Sequence, residues 1–123
     1  MLDHVSIQCD DVPASASFYD AVLAPLAITR IVDFGSVMGY GSQGSPDFWI
    51  GPAVEGGVFR ETHLAFTAAD REGVRAFCAA AVAQGAVVLH EPREWPEYHS
   101  GYFGAFVRDP DGNNVEAVSH TAE

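Results

Sequence analysis

The chain has no lysine. All six of its basic residues are Arg, against 17 Asp and Glu, for a formal net charge of −11. A surface of that sign repels phosphate backbones and anionic headgroups, so neither nucleic acid nor a membrane is an expected partner. It favours solubility and attracts cations. Cysteine is also scarce. Cys9 and Cys78 could make one disulfide at most, and both are expected as buried free thiols. With no CxxC or other dense cysteine pattern, a thiolate zinc site is not expected either. No apolar run approaches the roughly 18 residues that a membrane span needs. The opening MLDHVSIQ lacks the basic-then-apolar order of a secretory signal, which makes a cytoplasmic location the expectation. At 123 residues, 48% hydrophobic and 19% charged, the chain has room for one globular domain with a core, but not for two.

What the chain does contain is an internal repeat. His4-Val5-Ser6-Ile7-Gln8 and His63-Leu64-Ala65-Phe66-Thr67 are separated by a constant 59 positions. The same shift pairs Asp11 with Asp70, Phe18 with Phe77, Ala24 with Ala83 and Ile28 with Val87. Each copy begins with a short alternating strand and an acidic helix start. In the first helix Asp11 is the expected cap and Pro13 sits where a first-turn proline is tolerated. Its apolar stripe is Phe18, Val22, Leu23 and Leu26. In the second, Asp70 is the cap, Val74, Phe77, Cys78, Ala81 and Val82 form the stripe, and Gly85 is the stop. Strand-like pieces follow in each half: 28–34, 36–40 and 48–50, then 87–90, 101–107 and 115–118. The predicted fold is α+β, two tandem βαβββ modules over 1–57 and 58–123 within a single domain.

Strand parity sorts the side chains. His4, Ser6 and Gln8 share one face of the first strand, opposite Val5, Ile7 and Cys9. His63, Ala65 and Thr67 share one face in the second copy, opposite Leu64 and Phe66. The apolar faces belong against the helices, which leaves two histidines at equivalent positions on the helix-free side. In the run Val115-Glu116-Ala117-Val118 the carboxylate needs a partner if it is buried. Glu116 can join the histidine face, and two imidazoles with one carboxylate form a facial triad for a divalent metal. Read singly, each of these residues has an ordinary structural alternative.

The stretch from His4 through Phe18-Tyr19, then His63, then FVRDPDGNNVEAV, resembles the vicinal oxygen chelate superfamily. This is the group of glyoxalases, bleomycin-resistance proteins and ring-cleaving dioxygenases. The resemblance covers nearly the whole chain, and the DPDGN turn followed by a strand Glu is its most specific part. It implies paired βαβββ modules curled into a mixed-sheet cup around a metal, commonly completed as a homodimer. His4, His63 and Glu116 match the family's metal positions, and Asp109-Pro110-Asp111-Gly112 matches its hairpin. Glyoxalase-type isomerases carry a fourth ligand on the last strand of the first module. Aligning Asp47-Phe48-Trp49-Ile50 with Asn114-Val115-Glu116-Ala117 puts Trp49 there, and tryptophan cannot ligate a metal.

The implied function is a metal-dependent enzyme, a lyase, isomerase or dioxygenase, acting on a small oxygenated and possibly aromatic substrate chelated to Zn, Fe, Ni or Mn. The alternative is a non-catalytic, bleomycin-resistance-like binder of small molecules. Further candidates lie in EWPEYHSGYFGAF. Tyr102, Gly104 and Phe106 share the cup face if Glu116 does. Tyr98 and His99 precede them on a loop that could close over the site. His99 is a candidate general acid or base, and Tyr102 a candidate donor to a substrate oxyanion, with loop exposure and core packing as the competing accounts. Trp49, Tyr98 and Phe106 are expected to wall the substrate. His90 and His120 read as structural or exposed.

Overall fold

Each half of the chain builds the same unit. The structure, a computed structural model, describes residues 1–54 and 58–121. The first half runs β1 (Val5–Cys9), α1 (Val12–Leu23), β2 (Thr29–Asp33), β3 (Met38–Gly41) and β4 (Phe48–Pro52); the second runs β5 (His63–Thr67), α2 (Arg71–Ala83), β6 (Val88–Glu94), β7 (Phe103–Arg108) and β8 (Asn114–Ser119). Two four-stranded mixed sheets result, ordered β1-β4-β3-β2 and β5-β8-β7-β6. In both, the first strand lies parallel to the last and the other pairings are antiparallel. The predicted duplicated α+β fold is therefore present. The expected module boundary at 57/58 touches residue 57, which lies outside the described residues.

Local chemistry accounts for the helices. The Asp11 carboxylate accepts from the Ala14 N–H, and the Asp70 carboxylate accepts from the Gly73 N–H, so each helix opens on a side-chain cap. Pro13 sits in the first turn of α1. A single 3₁₀ turn, Ala24–Leu26, extends α1 and closes on Ala27 at φ 62°; α2 closes on Gln84, followed by Gly85 at φ +79°. On α2, Val74, Phe77, Cys78 and Ala81 are buried as expected. Val82 is 56% exposed, a correction to the predicted stripe, because the helix period carries it past the edge of the buried face.

Parity behaves as the sequence indicates. On β1, Ile7 and Cys9 are buried while Ser6 and Gln8, and His4 just before the strand, are exposed; on β5, Leu64 and Phe66 are half-buried between exposed His63, Ala65 and Thr67. The inward residues of both sheets meet α1 and α2 in one continuous core that includes Tyr19, Tyr40, Ile50, Phe77, Val107 and Val115. Phe48 of β4 packs edge-on against Phe66 of β5 at 5.1 Å, so the two modules share that core. β1 and β5 are both edge strands, and neither is hydrogen-bonded to the other sheet.

The turn between β7 and β8 fastens the halves together. Asp109 is 5% exposed. Its Oδ1 accepts from the Asp111 and Asn113 N–H groups, and its Oδ2 from Asn113 Nδ2 and, at 2.6 Å, from the Tyr19 hydroxyl on α1. Asp111 accepts from the Asp10 N–H and from the Ser15 hydroxyl. Gly112, at φ +94°, provides the left-handed backbone that closes the turn.

Candidate metal and substrate site

Glu116 lies on the second strand of its sheet, opposite Ala65 of β5 and Phe106 of β7. It is 2% exposed, and no arginine compensates its charge among the described residues. His63 and Tyr102 hold it instead. His63 Nε2 lies 2.9 Å from Oε1, and the Tyr102 hydroxyl donates to Oε2 in a very short contact. A β-carbon on Gly104 would stand 3.1 Å from Oε2 and 3.3 Å from the Tyr102 ring, so glycine is what allows these groups to meet. Burial, followed by donation to Glu116, holds the Tyr102 hydroxyl well above its ordinary value. It therefore stays protonated and serves as a donor near neutrality.

His63, Tyr98, Tyr102, Phe106 and Glu116 line one pocket of about 200 Å³. Five of the eight predicted site residues are thus brought together. The volume is below the roughly 300–1,000 Å³ typical of small-molecule sites. The pocket is open, and three of its five lining residues are the aromatics Tyr98, Tyr102 and Phe106. A larger cavity of about 720 Å³ lies elsewhere, between the start of α1 and the β7–β8 turn, and contains none of the predicted site residues.

The other three predicted residues lie apart. His4 stands just before β1, with its side chain 56% exposed and Nδ1 2.8 Å from Asp3. Trp49 is on the first sheet, in register with Ser6 of β1, as Glu116 is with Ala65 of β5. Because Ser6 and Ala65 are themselves 59 positions apart, Trp49 occupies the place in the first module that Glu116 holds in the second. Its indole stacks on Phe34 at 6.3 Å and lies against Gly39, where a β-carbon would be 2.9 Å from the ring. Within this chain His63 meets Glu116 on the second sheet, while His4 stands just before β1 of the first. Among the described residues no group of three or more potential ligands converges, because the two open faces belong to separate sheets. His99 also departs from its expected place, since its ring nitrogens meet the Ser100 carbonyl and His120 instead of the pocket.

Sequence reasoning missed two neighbours. Trp95, 5% exposed, anchors the loop before β7. Its indole donates to the Gly104 carbonyl at 3.0 Å, stacks on Tyr98 at 5.5 Å and carries Arg93 3.4 Å above its ring. His120, read as structural or exposed, packs edge-on against Tyr102 at 5.3 Å. The EWPEYH composition hinted at the first of these, but no local signal marked the second.

Two mixed sheets, each built from a βαβββ unit, define a glyoxalase-like fold. The chain belongs to the Glyoxalase/Bleomycin resistance protein/Dioxygenase superfamily, whose family model matches residues 1–117. A glyoxalase/bleomycin resistance protein from Albidiferax ferrireducens T118 is 32% identical, covers 97% of this chain and 98% of its own, and superposes with a TM-score of 0.84. A glyoxalase-related enzyme from Fulvimarina pelagi (20% identity, 97% and 87% covered, TM-score 0.75) shares the fold. So does a lactoylglutathione lyase from Agrobacterium tumefaciens (20% identity, 97% and 92% covered, TM-score 0.70). A comparison with curated proteins gives no match. The superfamily includes lyases and dioxygenases, and its members typically use divalent metals. No helix among the described residues is long and apolar enough to cross a membrane.

Proposed function

We propose that the chain is one subunit of a two-fold homodimeric, metal-dependent enzyme of the glyoxalase/dioxygenase type. In this reading the open face of the first sheet of one copy covers the Glu116 pocket of the other. His63, Glu116 and His4 of the second copy would hold a divalent ion, and the substrate would be a small, planar oxygenated compound. The observation that carries the reading is the buried Glu116 paired with His63 at the mouth of an open pocket. A separation of 2.9 Å suits two adjacent ligands on one ion with bonds of about 2.0–2.2 Å. Imidazole and carboxylate donors accept Zn, Fe, Ni or Mn. The free edge strands of both sheets and an incomplete cup supply the reason to pair.

A bound divalent ion would supply Lewis acidity toward two substrate oxygens. Tyr102 would orient the buried carboxylate with its single hydroxyl hydrogen and, once the ion holds Glu116, would turn that hydrogen toward a substrate oxygen. Phe106 and Tyr98 would exclude water from one side, and Trp49 with Phe34, brought by the second copy, from the other. Non-catalytic ligand binding is the second reading, favoured by Trp49 standing where a fourth donor would otherwise be.

Protein purified without chelators should carry about one divalent ion per chain by elemental analysis and scatter light as a dimer at micromolar concentration. His4→Ala and Glu116→Ala should each empty the site. Stoichiometric metal in both variants would mean the triad is misplaced, and a strict monomer would sink the shared cup. Metal-free wild type that binds an aromatic ligand as tightly as the loaded protein would favour the second reading.

A further inference from the structure

Outside the Glu116 pocket, two imidazoles face each other on the protein surface. His99, on the loop before β7, and His120, just after β8, stack at 5.1 Å with 20° between their planes, and His99 Nε2 lies 3.0 Å from His120 Nδ1. The tautomers follow from the neighbours. His99 Nδ1 is 2.8 Å from the Ser100 carbonyl oxygen, which can only accept, so Nδ1 carries the hydrogen and neutral Nε2 presents a lone pair. His120 Nδ1–H donates into it, and His120 Nε2 has no partner among the described residues.

We propose that this pair is a second cation site, a two-imidazole seat for Ni(II), Cu(II) or Zn(II), separate from the site at Glu116. Two nitrogens bonded to one ion at about 2.0–2.1 Å and near 90–110° to each other stand about 2.8–3.4 Å apart. The observed 3.0 Å lies within that interval, so the nitrogens need not move apart or together, and each ring turns to aim its lone pair off the N···N line. The hydrogen between the rings then moves to His120 Nε2, and both neutral imidazoles coordinate with no net change in protons. The Ser100 carbonyl does what outer-sphere acceptors do at metal sites, since it fixes the tautomer and aims the other nitrogen. Tyr102 packs edge-on against both rings at 5.3 Å and holds them in place. Water would fill the remaining positions, and the net charge of −11 raises the local cation concentration. Imidazole donors select late first-row ions over Mg(II) and Ca(II). The ion would staple the loop that carries Tyr98 and Tyr102 to the end of β8.

The test is calorimetric titration of chelator-stripped protein with NiCl₂ alone, and separately with MgCl₂. Wild type should bind one Ni(II) per chain more than His99→Ala or His120→Ala, and its thermal midpoint should rise with Ni(II) where theirs does not. Glu116→Gln should keep this equivalent and lose it when His99→Ala is added, whereas Mg(II) should not occupy it. Unchanged Ni(II) stoichiometry in both histidine variants would overturn the proposal, whatever Glu116→Gln shows. Loss confined to Glu116→Gln would overturn it too, while supporting a metal at the Glu116 pocket. Both histidines are exposed, so their removal leaves the core untouched.

Discussion

Tyr102 and Cys9 show how burial sets the chemistry of a single side chain. The Tyr102 hydroxyl holds one oxygen of a carboxylate that has no other donor on that side, so Tyr102→Phe leaves a buried acceptor unpaired, at a cost of about 1–3 kcal/mol. Under the proposed function the same variant should keep its metal and lose most of its turnover. Loss of the metal along with turnover would reduce Tyr102 to a structural support. Cys9 lies in the core, and burial, with the charges of Asp111 and Asp109 adding to it, pushes its thiol up from 9.0 to about 11. Between those values an unfolded chain has released the proton that the native chain still holds. Native protein therefore binds more protons in that window, and stability falls as pH rises through it, by about 2–3 kcal/mol from this group. Below pH 9 the contribution is complete. Denaturant midpoints measured from pH 8.5 to 10.5 should fall less steeply in Cys9→Ala than in wild type, and equal slopes would assign the alkaline loss elsewhere.

Strands and helices were the most legible level, because alternation and capping are local. The 59-residue shift, the caps at Asp11 and Asp70 and the outward parity of His4 and His63 could all be read from the chain. The alignment of Trp49 with Glu116 could be read as well, and the strand registers agree with it. Trp49→Glu should add a carboxylate at the position equivalent to Glu116. If that position faces the shared cup, metal affinity should rise and any aromatic ligand should bind more weakly. If neither affinity changed, Trp49 would be a packing residue and the fourth-ligand argument would fail. What could not be read was which face meets which. Parity places a side chain above or below its own sheet and says nothing of how two sheets are set about a common core. The His99–His120 contact joins residues 21 positions apart through the shape of a loop, with no periodic signal to announce it.

At the scale of the molecule, the repeat gives two modules but the packing gives one core, with Phe48 of the first against Phe66 of the second and Tyr19 donating into Asp109. Tyr19 itself is held well above its ordinary value, by burial first and by Asp109 second, so the bond persists across the neutral range. Neither module is therefore expected to fold by itself. Separated from α1, the β7–β8 turn would bury a carboxylate short of one donor, and the first half would expose the apolar flank that now faces Phe66. Expressed alone, peptides 1–54 and 58–121 should show no cooperative melting, and mixed in equal amounts they should reassociate into a folded complex. Tyr19→Phe should weaken that reassociation several-fold while hardly altering either free fragment. The two halves would then behave as an obligate heterodimer that happens to be written on one polypeptide, with the Asp109 turn as the contact by which each recognises the other.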